Sequence, residues 1–155
     1  MSEPMYLTAE GAEELRRELK NLIEVRRPEL ARKLAEAVAQ GDLKENADYH
    51  DAKEQQAFVE GRIQYLENVL RSAVLIENNG RTDVVSIGSE VTIVEAGTTD
   101  EERYIIVGAA EANPREGKIS NESPIGRALL GRKPGESVKV QTPAGELTFK
   151  IKQIH

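Results

Sequence analysis

From Thr8 to Ile76 the apolar side chains recur at spacings of three and four residues, and this helical period stops sharply only at Gly41. Thr8 is placed to cap a first helix, with Glu10, Glu13 and Glu14 near its positive end. Leu15, Leu19, Leu22 and Ile23, then Leu30, Leu34, Ala37 and Val38, form one stripe. Pro28 interrupts it, but the stripe resumes at Leu30, so a bend is expected there and not an end. Gly41 is a natural left-handed stop. A second helix is expected to follow at once, with Ala47, Ala57, Phe58, Gly61, Tyr65, Leu66, Val69 and Ala73 on or near one face, running to Val74, Leu75 and Ile76. So short a joint forces the two helices antiparallel. Each arm would be about 40 Å long, against a radius of gyration near 15 Å for a compact chain of this size, so the hairpin is expected to protrude. Near the bend the expected seam shrinks to Ala35, Ala37, Ala39, Ala47 and Ala52, which keeps the distal arm thin.

Beyond residue 76 the period changes. Residues 77–82, rich in turn formers, read as a linker between a segment 1–76 and a segment 83–155. Strands are expected at 84–87, 90–94, 103–107, 137–141 and 146–154. In the last, Leu147, Phe149 and Ile151 alternate with Thr148, Lys150 and Lys152, the pattern of a half-buried strand. Thr142, Pro143, Ala144 and Gly145 form a turn before it. Ser123 as cap, Pro124 at the first position, Ala128, Leu129 and Leu130 as the apolar face and Gly131 as the stop define one short helix. The expected fold is therefore α+β: an N-terminal antiparallel α-helical coiled-coil hairpin and a C-terminal antiparallel β-sheet wrapped on one short helix.

Composition removes several functions. The 155 residues include no Cys, which excludes a disulfide framework, a thiol nucleophile and Cys-ligated zinc. The opening MSEPMYLTAEG has neither a basic nor an apolar targeting region, and no apolar run is long enough to span a bilayer, so a cytoplasmic protein with no membrane partner is expected. The net charge of -6, shared by both halves, argues against a free-standing DNA binder, because affinity for DNA comes from neutralising phosphates.

The chemistry concentrates at the bend, in GDLKENADYHDAKEQQ. Asp42 and Glu45 stand three apart around Lys44. Local grammar allows a variant capping box, with Asp42 as cap and Glu45 reaching back. Position allows a second role: two hard carboxylates at the end of a long arm can complete a Mg²⁺ site in a partner, since Mg²⁺ takes one or two carboxylates and fills its other positions with water and substrate phosphates. The two roles are compatible. Tyr49 is expected to pack on the turn, with stacking on an RNA base as the alternative. His50 has no second His or Cys at ligand spacing and reads as a solvated side chain.

The tip segment, the preceding RRPEL and the later ISNESPIGRALLGRKPGE closely resemble the GreA family of bacterial transcript cleavage factors, over essentially the whole chain. Asp48 stands where Glu is expected and Lys53 where Arg is expected, both keeping charge. The resemblance implies an FKBP-like second domain that docks on RNA polymerase and a finger that enters its secondary channel. The matching acids, Asp42 and Glu45, would then help the polymerase cut the 3′ end off backtracked RNA, sharing a Mg²⁺ with the polymerase that the free protein does not hold tightly. Such a protein is not an enzyme by itself, and it is expected to be a monomer when free. Lys44, Asn46, Tyr49 and Lys53 become contacts to RNA or polymerase, and Ser123, Pro124, Ile125 and Gly126 fall near the docking surface. A channel-binding inhibitor on the same scaffold would carry a more heavily acidic tip. A hairpin chaperone would need an apolar one, whereas Asp42, Lys44, Glu45, Asn46 and Asp48 are polar. Peptidyl-prolyl isomerase activity is disfavoured by the scarcity of aromatics, Tyr104 and Phe149 being the only two after residue 82. The Asn121-Glu122-Ser123 sequon precedes a proline and reads as chance.

Overall fold

The computed structural model describes residues 5–41, 45–76 and 80–155. Two compact units form: residues 12–72, and a second that joins residues up to Gly11 to Ala73–His155.

In the helical unit, α1 (Ala9–Asn21, whose first turn belongs to the other unit) continues through a π-helical turn, Leu22–Arg26, into α2 (Arg27–Ala39). The π turn is the physical form of the expected bend. Pro28 has no N–H to donate, and the widened turn lets the Arg27 amide reach the Leu22 carbonyl, five residues back. The helix thus passes its proline without ending. Gly41, at φ 111°, supplies the stop. The returning helix, α3 (Ala47–Ser72), packs Val59 and Ile63 against Leu30, with Leu19, Leu22 and Ile23 at the edge.

The seam on α3 differs from the expected one. Ala52, Val59, Ile63, Leu66 and Val69 are buried, whereas Ala57 and Gly61 are exposed and Phe58 is 75% exposed. The aliphatic residues spaced by seven, four, three and three define the contact stripe; Leu66 and Val69 of the expected face lie on it, whereas Ala57, Phe58, Gly61 and Tyr65 lie off it. Near the turn only Ala37 and Ala52 are buried; Ala35, Ala39 and Ala47 face outward. Two bidentate pairs strap the arms together. Arg27 donates to Glu60 at 2.7 and 2.9 Å, and Arg62 donates to Glu18 at 2.7 and 3.0 Å. The fork geometry fixes register, although exposed pairs contribute little to stability.

Helix α3 ends at Ser72, so Val74–Ile76 is not helical as expected. It is strand β2, parallel to β1 (Tyr6–Thr8) with Leu7 opposite Leu75. β-Branched residues favour this state once a partner strand is present, and the partner is nearly seventy residues away in sequence. The main sheet has the order β5-β4-β3-β7-β6, made of β3 (Glu90–Glu95), β4 (Glu101–Val107), β5 (Lys118–Ser120), β6 (Ser137–Thr142) and β7 (Gly145–Ile154). β4 and β5 run parallel, so this sheet is mixed where an antiparallel one was expected. Residues 84–87 form no strand. Val85 is buried and exchanges two hydrogen bonds with the loop after α4 (Pro124–Leu129), one to Arg132 O and one from Gly131 N, which is a single-residue tie and not a ladder.

The β6–β7 turn forms as expected, with Thr142 paired to Gly145 at φ 122°. A bulge between Thr92 and Ile93 shifts the β3–β7 register, so that Ile154 opposite Val91 and Ile151 opposite Ile93 are both buried. Leu129 of α4 is fully buried in a core with Val91, Ile93, Ile106, Phe149 and Ile151.

Gly108, after β4, lies against β1: a Cβ there would stand 1.7 Å from the Tyr6 carbonyl oxygen. Gly108→Ala must therefore push β1 away, and chemical denaturation should show a loss of about 3 kcal/mol. Gly61→Ala, on an open helical face with nothing within 4 Å, should instead add about 0.5–1 kcal/mol.

Candidate functional site

The turn between α2 and α3 is shaped by Asn46. Its side-chain oxygen accepts the Tyr49 amide at 3.1 Å, the N-cap bond of α3, and its side-chain nitrogen donates to the Ala37 carbonyl at 2.8 Å. The Asn46 carbonyl accepts the first helical bond, from His50 N. One amide thus serves both helix ends. This overturns the capping box: the cap of α3 is Asn46, and Glu45, expected inside the helix start, precedes it on an exposed bend. Asp42 and Lys44 lie outside the described residues.

Glu45 is exposed at the turn, as is Lys53 one turn further along α3 than Tyr49. Tyr49 is half-buried and meets the edge of the His50 ring, with centroids 5.5 Å apart. Asn46, expected as a contact to RNA or polymerase, has both side-chain polar atoms engaged within the chain. Its signal was present in the sequence as an Asn directly before Ala47-Asp48, a cap with an acid in the first turn. The glycine at 41 drew the start of the helix too early. Among the described residues no three His, Cys, Asp or Glu side chains converge as a metal site.

Ser123, Pro124, Ile125 and Gly126 form the start of α4. The Ser123 hydroxyl donates to Ser120 O at 2.7 Å and accepts the Gly126 amide at 3.1 Å. Gly126 is buried, and a Cβ there would stand 2.0 Å from the Ser120 carbonyl oxygen, so its place in the expected docking set is structural. Pro124 is exposed. Ile125 and Ser123 border a shallow depression of about 320 Å³ with Tyr104, Ala112, Pro114, Ile119 and Ser120, a wall with one aromatic ring. Tyr104 donates its hydroxyl to Glu102 at 2.8 Å, and burial, reinforced by that carboxylate, pushes its pKa up to about 12.

A family model described as "Transcription elongation factor, N-terminal" matches residues 5–75, and one described as "Transcription elongation factor, GreA/GreB, C-term" matches residues 80–155. The chain belongs to the GreA/GreB family of transcription elongation factors. It is 53% identical over 148 residues to transcription elongation factor GreA of Bacillus subtilis, covering 96% of this chain and 94% of that protein. It is 48% identical over 155 residues to GreA of Lactococcus lactis, covering 99% of each. A crystal structure of GreA factor homolog 1 (Gfh1) of Thermus thermophilus shares 33% identity over 99% of each chain, with a TM-score of 0.45. In this elongation factor, as described, no helix is long and apolar enough to cross a membrane.

Two measurements check the site. Asn46→Ala should cost about 1–2 kcal/mol and speed amide exchange at Tyr49, while Asn46→Asp keeps the cap and loses only the bond to Ala37. Tyr104 should give a late phenol step near pH 12 in an ultraviolet titration, removed by Tyr104→Phe. Because its folded pKa is raised, the stability it contributes is complete below pH 10, its ordinary value, and is lost as pH climbs through 12.

Proposed function

We propose that this elongation factor binds bacterial RNA polymerase at its secondary channel and stimulates Mg²⁺-dependent cleavage of the 3′ end of backtracked RNA, rescuing arrested complexes. The observation that carries the reading is the exposed Glu45, held at the turn of a long hairpin beside a cap that does not use it. An exposed carboxylate at the end of such an arm suits delivery to a cation elsewhere.

In phosphodiester cleavage by two metals, one ion activates water and the other stabilises the leaving oxygen. Asp42 and Glu45 would supply hard oxygens to an ion that the polymerase holds weakly, so that the free protein binds Mg²⁺ only weakly and needs no active site of its own. Hard carboxylate oxygens fit that ion. Asn46 closes the turn that carries Glu45. Lys44, Tyr49 and Lys53 would meet RNA phosphates or polymerase acids, and the exposed Pro124 and half-buried Ile125 belong to the docking surface on the sheet unit. The partners are thus the polymerase and the nascent RNA 3′ end, in the cytoplasm, reached by a monomeric factor.

The test adds the protein to a backtracked elongation complex with Mg²⁺ and follows the RNA 3′ end. Wild type should release the 3′ fragment, and Asp42→Ala or Glu45→Ala should abolish release while polymerase affinity stays within about twofold. Asp42→Ser should be as inactive as the alanine variant. An unchanged transcript with docking confirmed would sink the reading and leave a channel-blocking inhibitor in its place.

A further inference from the structure

The first turn of α1 is held by a side chain from far along the sequence. Glu111 accepts the Thr8 amide through Oε2 at 2.7 Å and the Thr8 hydroxyl through Oε1 at 2.6 Å. That hydroxyl oxygen in turn accepts the Gly11 amide at 3.0 Å, the capping bond of α1. The threonine proton goes to the carboxylate and its lone pair faces the helix, so the cap is locked in the orientation that holds the first turn. A carboxylate at this end also meets the positive pole of the helix dipole.

The surroundings are built for this contact. A Cβ on Gly11 would stand 1.9 Å from Glu111 Oε1, so the carboxylate occupies the space that only glycine leaves free. Glu111 itself closes a 3₁₀ turn, Ala109–Glu111, by donating its amide to Gly108 O, and Gly108 packs on the Tyr6 carbonyl. Two glycines, a strand and a turn thus converge on one carboxylate. All of these residues lie within the sheet unit, and α1 runs from Gly11 to Ala12 as unbroken helix.

We propose that Glu111 is a positioning residue for the tip chemistry: by clamping the first turn of α1 it keeps the link at Gly11–Ala12 helical instead of a loose tether. The inference rests on the proposed cleavage function. A reactive group delivered on a stiff support acts at a higher effective concentration than one on a flexible tether, because fewer wrong positions are sampled. Removal of the clamp should therefore lower the rate reached at saturation and leave the concentration needed to dock nearly unchanged.

The test uses the full chain with backtracked elongation complexes, measuring single-turnover cleavage against factor concentration, and amide exchange at Gly11 and Ala12. Glu111→Ala should lower the saturating rate about tenfold, keep the half-saturating concentration within about twofold and speed exchange at Gly11. Glu111→Gln, whose oxygen still accepts the Thr8 amide, should recover most of the rate. Thr8→Val, which removes only the hydroxyl, provides the same comparison if Glu111→Ala does not fold, and should lower the saturating rate by a smaller factor. Faster Gly11 exchange with an unchanged saturating rate would overturn the inference, and so would a variant that shifts only the half-saturating concentration. A wild-type protein that docks without cleaving would overturn the functional reading beneath it, which the comparison of variants does not touch.

Discussion

Two long helices stay side by side only where their free ends are satisfied, and in this chain a single amide satisfies both. Asn46 caps α3 with its oxygen and ties the Ala37 carbonyl of α2 with its nitrogen, beside the left-handed Gly41 that ends the first arm. The rest of the helical unit follows from this closure. With the register fixed at the turn, Leu30 meets Val59 and Ile63, and the Arg27–Glu60 and Arg62–Glu18 forks fall opposite each other further down. Mutual hydrogen bonding lowers the Glu60 pKa and raises that of Arg27. The pair still acts chiefly on register, because an exposed ion pair contributes little to stability.

Local rules carried much of the sequence reading. Pro28 as a bend, Gly41 as a stop, Ser123-Pro124 as a helix start and the alternation of β7 are each decided by a residue and its near neighbours, and each appears in the structure. Most of the failures share one cause, which is a distant partner. Val74–Ile76 continues a helical pattern until β1 offers it a ladder, and Val85 is tied by Arg132 before it can form a strand. β5 lies parallel to β4 because two 3₁₀ turns carry the chain between them, which periodicity does not register. The α3 face failed differently. The reading placed Phe58 on the seam and passed over Val59 and Ile63, whereas close packing of two helices selected Val59 and Ile63 and left Phe58 outside.

At the tip the sequence was legible in its chemistry and less so in its geometry. The acids were visible as a group, and the family resemblance, now supported by matches to both halves of the chain, gave them a context. The local alternative assigned Asp42 and Glu45 to capping. The structure gives the cap to Asn46, with Glu45 on an exposed bend before it. Glu111 escaped the sequence reading altogether, since nothing around it shows that Thr8 is its neighbour.

The central claim is that the tip carboxylates hold a metal ion shared with the polymerase, and its most direct measurement is the Mg²⁺ dependence of single-turnover cleavage. Asp42→Asn keeps the shape of the side chain and removes its charge, so mass action on the ion must replace the lost attraction. The account predicts that this variant needs several-fold more Mg²⁺ for half-saturation than wild type and approaches the wild-type rate when Mg²⁺ is abundant. Equal half-saturating Mg²⁺ with a lower maximal rate would contradict it, and would make Asp42 a residue that orients water or RNA without holding the ion.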